Sequence, residues 1–320
     1  MLKNNEFFKC YNERLLFLIL YYMTQTYHAN GKLLLSGEYF ILDGALGLAL
    51  PTKFGQTLTV ESSSEKGIFW KSLDHENKVW FESQFSESLE IISSSDKDVA
   101  KTLQNILLKS QISNLNSQIT TKLDFPQNWG LGSSSTLISL LAQYANVDPY
   151  ELLAKTFGGS GYDIACATAN SAITYQLTTH DSRLTTAINF QPSFSNHLYF
   201  VHLGKKQNSR EGIQHYRNLT VDKSDYIEQI SALTQKIIHA KELDEFCYYL
   251  EVHENIVANM LNLRKVKDLY FSDFPGTIKS LGAWGGDFIL VASDESPEMI
   301  TRYFQQKGFS TFLSYKDMIL

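Results

Sequence analysis

Residues 126–136 (PQNWGLGSSST) constrain this chain more than any other stretch. They follow a stretch, 119–125 (ITTKLDF), that reads as a strand. They precede one in which Leu137, Ile138, Leu140, Leu141 and Tyr144 share a face at the 3.6-residue helical period. Gly130 and Gly132 let the backbone approach a ligand closely and adopt positive φ. The helix that follows offers unpaired N–H groups and the positive end of its dipole. A strand, a glycine turn and a helix start in that order make a phosphate cradle. Serine hydroxyls can add donors to phosphate, or an oxygen ligand to Mg²⁺. In isolation, a glycine–serine turn with a serine cap explains these residues about as well. The chain carries neither GxxxxGK[ST] nor GxGxxG, which disfavours the Walker-type and dinucleotide-binding classes.

The chain has 320 residues, enough for one large or two ordinary domains. Its 43% hydrophobic and 19% charged residues argue for a globular protein without long disorder. A net charge of −6 with no basic block argues against a nucleic-acid partner. Cys10, Cys166 and Cys247 lie far apart with no CxxC, which fits a reducing, cytoplasmic setting and no disulfide framework. The histidines show no metal-ligand spacing. Near the start, Lys3, Lys9 and Arg14 precede an apolar run, 15–22. That run falls short of the roughly 20 residues of a membrane span. No small-x-small cleavage site follows it. Residues 1–22 therefore read as an extension or a mis-assigned start ahead of Met23, and no membrane partner is expected.

Coarse patterning gives strands, then a helix-rich middle, then mixed elements. Residues 31–42 read as strand, tight turn at Ser36-Gly37-Glu38, and strand. Residues 56–62 and 67–81 alternate apolar and polar, as in a half-buried antiparallel sheet. Helices are expected over 98–108, around Tyr226 to Ile238, and over 243–262; Ser296-Pro297 opens another. Strands are expected at 172–178, 198–203, 278–281 and 288–292. The absence of regular βαβ alternation points to a two-domain α+β chain. The loop around Asp181 and Pro192 divides it into residues 23–185 and 186–320.

Three other segments carry candidate chemistry. In 31–39 (GKLLLSGEY), Lys32 opens an otherwise apolar strand, costly unless its ammonium reaches an anion or solvent. In 158–167 (GGSGYDIACA), Asp163 stands between a glycine turn and small apolar residues. It reads either as a functional acid or base or as a helix cap. In 282–287 (GAWGGD), a glycine loop joins two strands.

The order of 31–39, 126–135 and 282–286 resembles the three-motif layout of the GHMP kinases, the galactokinase, homoserine, mevalonate and phosphomevalonate kinase superfamily. The resemblance spans nearly all of the chain after Met23. Gly-Glu-Tyr at 37–39 and Gly-Ser-Gly-Tyr-Asp-Ile-Ala at 159–165 look most like phosphomevalonate kinases and a bacterial group carrying Gly-Tyr-Asp-Ile-Ala. This resemblance implies an N-terminal ATP-binding domain with a left-handed βαβ element and a ferredoxin-like C-terminal domain. It implies ATP and Mg²⁺, with phosphates on Gly130, Leu131, Gly132, Ser133, Ser134 and Ser135, and with Ser134 also on the metal. Asp163 matches the catalytic aspartate, and Lys32 the lysine beside the transferring group. Glu38, Tyr39, Ser160, Gly161, Lys205, Arg210, Gly285 and Gly286 fall on the acceptor side, where Lys205, Lys206 and Arg210 suit an anionic small molecule. A solvated basic turn explains those three cations equally well.

Departures from the pattern are Asn30 in place of proline, Trp284 inside the third motif, and a short 135–158 stretch. That shortening leaves only Glu151 as a weak match to the metal-binding glutamate. The implied activity is phosphoryl transfer to mevalonate or phosphomevalonate, in isoprenoid biosynthesis. A sugar or amino-alcohol kinase, and a non-catalytic sensor with the same fold, stay open, as does a homodimer.

Overall fold

The computed structural model describes residues 24–112, 114–178, 182–205, 209–282, 284 and 286–320. The expectations for residues 1–22 and for Asp181, Lys206 and Gly285 lie outside the described residues. In chain order come β1 (Gln25–Ser36), a 3-10 turn (Phe40–Asp43), β2 (Gly47–Ser62), β3 (Ile68–Leu73), β4 (Val79–Phe85), β5 (Ile91–Ser94), α1 (Lys97–Ser110) and β6 (Ser117–Leu123). A 3-10 turn (Gln127–Trp129) leads into α2 (Ser133–Ala145), α3 (Pro149–Ala154), α4 (Tyr162–Ala167), β7 (Ile173–Leu177) and β8 (Arg183–Ala187). Then follow β9 (Leu198–His202), α5 (Ser209–Arg217), α6 (Ser224–His239), α7 (Leu243–Leu261), α8 (Val266–Tyr270) and β10 (Thr277–Ser280). The chain finishes with β11 (Phe288–Ala292), α9 (Pro297–Gln306), β12 (Phe312–Ser314) and α10 (Tyr315–Met318). No helix among the described residues is long and apolar enough to cross a membrane.

The chain divides into two compact units. The smaller one takes residues up to 29, 56–124 and 137–157. Its sheet runs β5-β4-β3-β6 and then the second half of β2. β3 pairs with β6 in parallel, and the other pairs are antiparallel. Alternation places Ile68, Trp70 and Ser72 of β3 and Ile119, Thr121 and Leu123 of β6 on the buried side, as period-2 geometry requires. The expected strand over 67–81 is interrupted: Asp74 Oδ1 accepts from the N–H groups of Glu76 and Lys78, closing a tight turn between β3 and β4. Asp96 caps α1 by accepting from the N–H groups of Asp98 and Val99, worth about 1 kcal/mol. That fixes the helix with Ala100, Leu103, Ile106 and Leu107 buried.

The larger unit takes residues 30–55, 125–136 and 158–320. Its second sheet is antiparallel, ordered β10-β11-β9-β12. β9 and β11 are buried along their whole length, which is why both read as unbroken apolar runs. Tyr199, Val201, Ile289 and Val291 pack with Phe271, Phe274, Ile300 and Phe304 beneath it. Each such side chain contributes about 1.5–3 kcal/mol by leaving water. A second ladder joins Gly47, Leu48 and Ala49 of β2 to β7, and β7 to β8.

The strand expected after the turn at Gly37 is a 3-10 turn instead. Gly37 (φ 101°) and Tyr39 (φ 61°) rotate the backbone so that the Ile41 and Leu42 N–H groups bond Gly37 O and Tyr39 O, each at 2.9 Å. Those amides are no longer available to a sheet. Gly161, not Asp163, holds the N-cap position of α4, and Asp163 lies in its first turn.

Candidate active site

The glycine–serine loop, Lys32, the Gly37–Tyr39 turn, Asp163 and the third glycine segment all belong to the larger unit. The loop is clamped against β1: Lys32 N donates to Leu131 O at 3.0 Å. That approach requires a glycine before the lysine. A Cβ on Gly31 would lie 2.6 Å from Thr52 Oγ1 and 3.1 Å from Leu131 O. Trp129 holds the loop's leading edge, edge-on to Phe54 and Phe288, while His202 Nε2 meets Asn128 O at 2.9 Å. Gly130 (φ 69°) and Gly132 (φ 94°) both sit in the left-handed region.

The serines divide by role. Ser135 is buried and its hydroxyl donates to Gly132 O at 2.8 Å, and Thr136 donates likewise to Ser133 O at 3.0 Å. Ser133 is half-buried and Ser134 exposed. Neither hydroxyl has a protein partner among the described residues. The Gly132, Ser133, Ser134 and Ser135 N–H groups likewise find no protein acceptor there, and the first helical bond is Thr136 N to Gly132 O. An open row of donors at a helix start is what an anion binds.

Lys32 runs beneath this loop. Its Nζ donates to Gly130 O at 3.0 Å and lies 5.9 Å from the Tyr162 ring centroid. Asp163 stands at the next residue, half-buried, with Oδ1 accepting from Ile164 N at 3.1 Å. Both groups act on Cys166: burial drives its thiol far up, Asp163 adds to that, and Lys32 opposes it. Tyr162 is raised in the same way, by burial first and by Asp163 next. The fold thus brings Lys32 and Asp163 to one neighbourhood, 131 residues apart in sequence.

Behind the Gly37–Tyr39 turn lies a buried charged cluster. Lys279 of β10 donates to Glu38 Oε1 and to Ser280 O, the latter at 3.0 Å, and lies 3.8 Å from Glu254 Oε1. His253 Nε2 accepts from Gly37 N at 3.1 Å, so that nitrogen carries no proton. Burial, with Lys279 adding to it, holds the imidazole well below its usual range. Burial pushes Glu254 up to about 8 against the pull of Lys279, with Glu38 adding to the rise. Glu38 is also raised by burial, opposed by the closer Lys279 contact. Lys279 thus stands between two buried carboxyls, Glu38 and Glu254, whose charged forms burial disfavours.

Structural comparison places the fold in a known class. L. major mevalonate kinase in complex with R-mevalonate matches with a TM-score of 0.66 at 13% identity, over 90% of this chain and 93% of that one. Streptococcus pneumoniae phosphomevalonate kinase in complex with phosphomevalonate and AMPPNP matches with a TM-score of 0.67 at 16% identity, over 91% and 99%. Lactococcus lactis galactokinase complexed with galactose matches with a TM-score of 0.60 at 12% identity, over 91% and 92%. The chain has the GHMP-kinase fold. No protein-family model and no curated protein matches its sequence.

Within the GHMP-kinase fold the remaining sequence-derived residues are distributed as follows. The Tyr39 ring stacks on Tyr216 and its hydroxyl accepts from Trp284 N at 3.3 Å. Trp284 itself is buried among Phe40, Tyr216, Ile230 and Val257. Gly161 (φ 87°) starts α4, and Ser160 O accepts from the buried Tyr175 hydroxyl. Lys205 and Arg210 are exposed, and Lys205 O accepts from Asp287 N at 2.7 Å. Gly286 is buried. Glu151 belongs to the smaller unit, exposed on α3 and paired with Lys155 at 3.2 Å.

Sequence reasoning missed Lys279, His253, Glu254 and Asp287. The last presses its carboxylate against Gly130, where a Cβ would lie 2.7 Å from Asp287 Oδ1. No group of three or more His, Cys, Asp or Glu side chains among the described residues is arranged to hold a metal. A site for Mg²⁺ here would depend on nucleotide phosphates plus a few protein oxygens, which suits that ion and the open Ser133 and Ser134 hydroxyls.

Proposed function

We propose that this chain is an ATP-dependent kinase of a small metabolite. The observation that carries the reading is the row of unpartnered N–H groups and serine hydroxyls at the start of α2, with Lys32 beneath it and with Lys32 and Asp163 both acting on Cys166. Phosphoryl transfer asks mainly for positioning and charge stabilisation. In this reading the loop from Gly130 to Ser134 binds the nucleotide phosphates, and Lys32 offsets charge on the transferring group. The bond from the γ-phosphorus to the β–γ bridging oxygen breaks, ADP leaves, and an acceptor oxygen bonds the phosphorus. A hydroxyl acceptor loses its proton to the Asp163 carboxylate. A phosphate acceptor needs no base, and Asp163 then orients it. Mg²⁺, held by the phosphates and by Ser133 or Ser134, would neutralise phosphate charge.

For the acceptor we favour mevalonate or phosphomevalonate. The Gly-Glu-Tyr and Gly-Ser-Gly-Tyr-Asp-Ile-Ala segments support it, as do the exposed Lys205 and Arg210. A non-catalytic ATP sensor is the second reading, supported by the pairing of Glu151 with Lys155 and by Trp284 in the third glycine segment. Three scattered cysteines support a cytoplasmic setting.

ATP consumption with Mg²⁺ against mevalonate, phosphomevalonate, homoserine and simple sugars tests both readings. Turnover on one acceptor is expected. Lys32→Met and Asp163→Asn are expected to lower it by about 10²–10⁴-fold with the fold retained. Near-normal turnover in either variant refutes its role, and ATP binding without turnover on any acceptor favours the sensor.

A further inference from the structure

The charged cluster behind the Gly37–Tyr39 turn draws its members from three separate segments: the turn itself, α7 and β10. Glu38, His253, Glu254 and Lys279 are each at most 1% exposed. Glu38 Oε2, His253 Nδ1 and Glu254 Oε1 are buried without a hydrogen-bond partner among the described residues. A set of buried ionisable groups with unmatched atoms is a poor source of stability, because apolar residues of similar volume usually serve as well or better. Its contacts indicate another role. Two successive turn residues are gripped from behind, Gly37 through its N–H by His253 and Glu38 through its carboxylate by Lys279. The next residue, Tyr39, is held at φ 61°, a left-handed conformation unusual for a residue with a side chain. Its hydroxyl in turn receives the N–H of Trp284. Lys279 also lies on the strand that runs into the glycine segment containing Trp284.

We propose that Lys279 is a positioning residue, which pins the Gly37–Tyr39 turn through Glu38 and thereby sets Tyr39 and Trp284 in their working arrangement. The effect on turnover rests on the kinase reading; the pinning of the turn does not. Lys279 is placed between two carboxyls, in contact with Glu38 and 3.8 Å from Glu254. A second negative charge on Glu254 competes for it and loosens the turn. The groups facing Glu254 are Lys279 and Ser280 from β10 and Glu38 from the turn; His253, its neighbour on α7, faces Glu38 instead, with Nε2 3.3 Å from Glu38 Oε2. α6 contributes the Thr234 hydroxyl, bonded to Ser36, which does not titrate.

The test is amide hydrogen exchange over residues 33–42 of the full chain, together with melting and turnover, in Lys279→Met, Lys279→Met/Glu38→Gln and Glu254→Gln. Lys279→Met leaves a carboxyl buried alone and is expected to melt well below the parent, whereas the double variant removes both partners together and carries the test. The double variant is expected to melt near the parent yet exchange this segment about tenfold faster, the value of one lost charge-assisted hydrogen bond. Turnover should fall by a similar factor. In the parent, exchange corrected for its intrinsic pH dependence should speed up as pH rises through about 8, and Glu254→Gln should abolish that rise. Parental exchange in the double variant overturns the proposal, even if turnover drops. So does a Glu254→Gln profile parallel to the parent's. Faster exchange in variants of a chain that phosphorylates no acceptor upholds the pinning and removes the kinase reading instead.

Discussion

Replacing Glu254 by Gln should flatten the dependence of stability on pH above neutrality. The Glu254 carboxyl titrates near 4.5 in an unfolded chain and at about 8 in the fold, chiefly because burial disfavours its charged form. Between those values the native state holds a proton that the unfolded state has released, so stability falls as pH rises. The contribution is whole below pH 4.5 and gone above pH 8. His253 works the other way: its native value is depressed, so its contribution is present above 6.5 and lost as pH falls. The two slopes oppose each other below pH 6.5, and only the Glu254 slope of the pair survives above it. One proton corresponds to about 1.4 kcal/mol per pH unit, so the interval from 6.5 to 8 is worth roughly 2 kcal/mol. Gln keeps the shape and can still meet Ser280 Oγ, which lies 3.3 Å from Glu254 Oε2. Urea unfolding at several pH values, parent against Glu254→Gln, reads the difference directly. Curves that run parallel across this interval refute the assignment of a protonated Glu254.

Two further outcomes concern the loop. Gly130→Ala places a Cβ at a left-handed φ and 2.7 Å from Asp287 Oδ1. It should cost at least about 1–2 kcal/mol in urea unfolding, and a melt like the parent's would show that the loop has room to move. Ser134→Ala should weaken ATP binding in calorimetry with little change in melting, because its exposed hydroxyl has no partner among the described residues. Ser135→Ala should lose about 1 kcal/mol of stability, because its buried hydroxyl bonds Gly132 O. The reverse pattern would move the ligand contact to Ser135.

The loop was legible because its signal is local: two glycines and three serines between a strand and an amphipathic helix say what the backbone can do there. The alternating strands were legible for the same reason, with Ile68, Trp70 and Phe81 buried at a period of two within their strands. What escaped depends on distant partners. Lys279 sits in Thr-Ile-Lys-Ser-Leu, as costly a place for an ammonium as that of Lys32, yet its carboxylate lies 241 residues earlier. His253 and Glu254 read as ordinary helix residues until α7 buries them. The strand expected after Gly37 failed because Tyr39 takes a left-handed φ that no propensity rule assigns to tyrosine.

Cys166 follows Asp163 by three residues, which is one turn of α4, and it is buried with its thiol pushed far above the usual range. A reactive thiolate there requires that the helix leave its place. The rate at which a thiol reagent modifies Cys166 therefore counts the openings of the segment that carries Asp163. The molecule comes with its own clock for that motion, readable by mass spectrometry of the Cys166 peptide without introducing a cysteine.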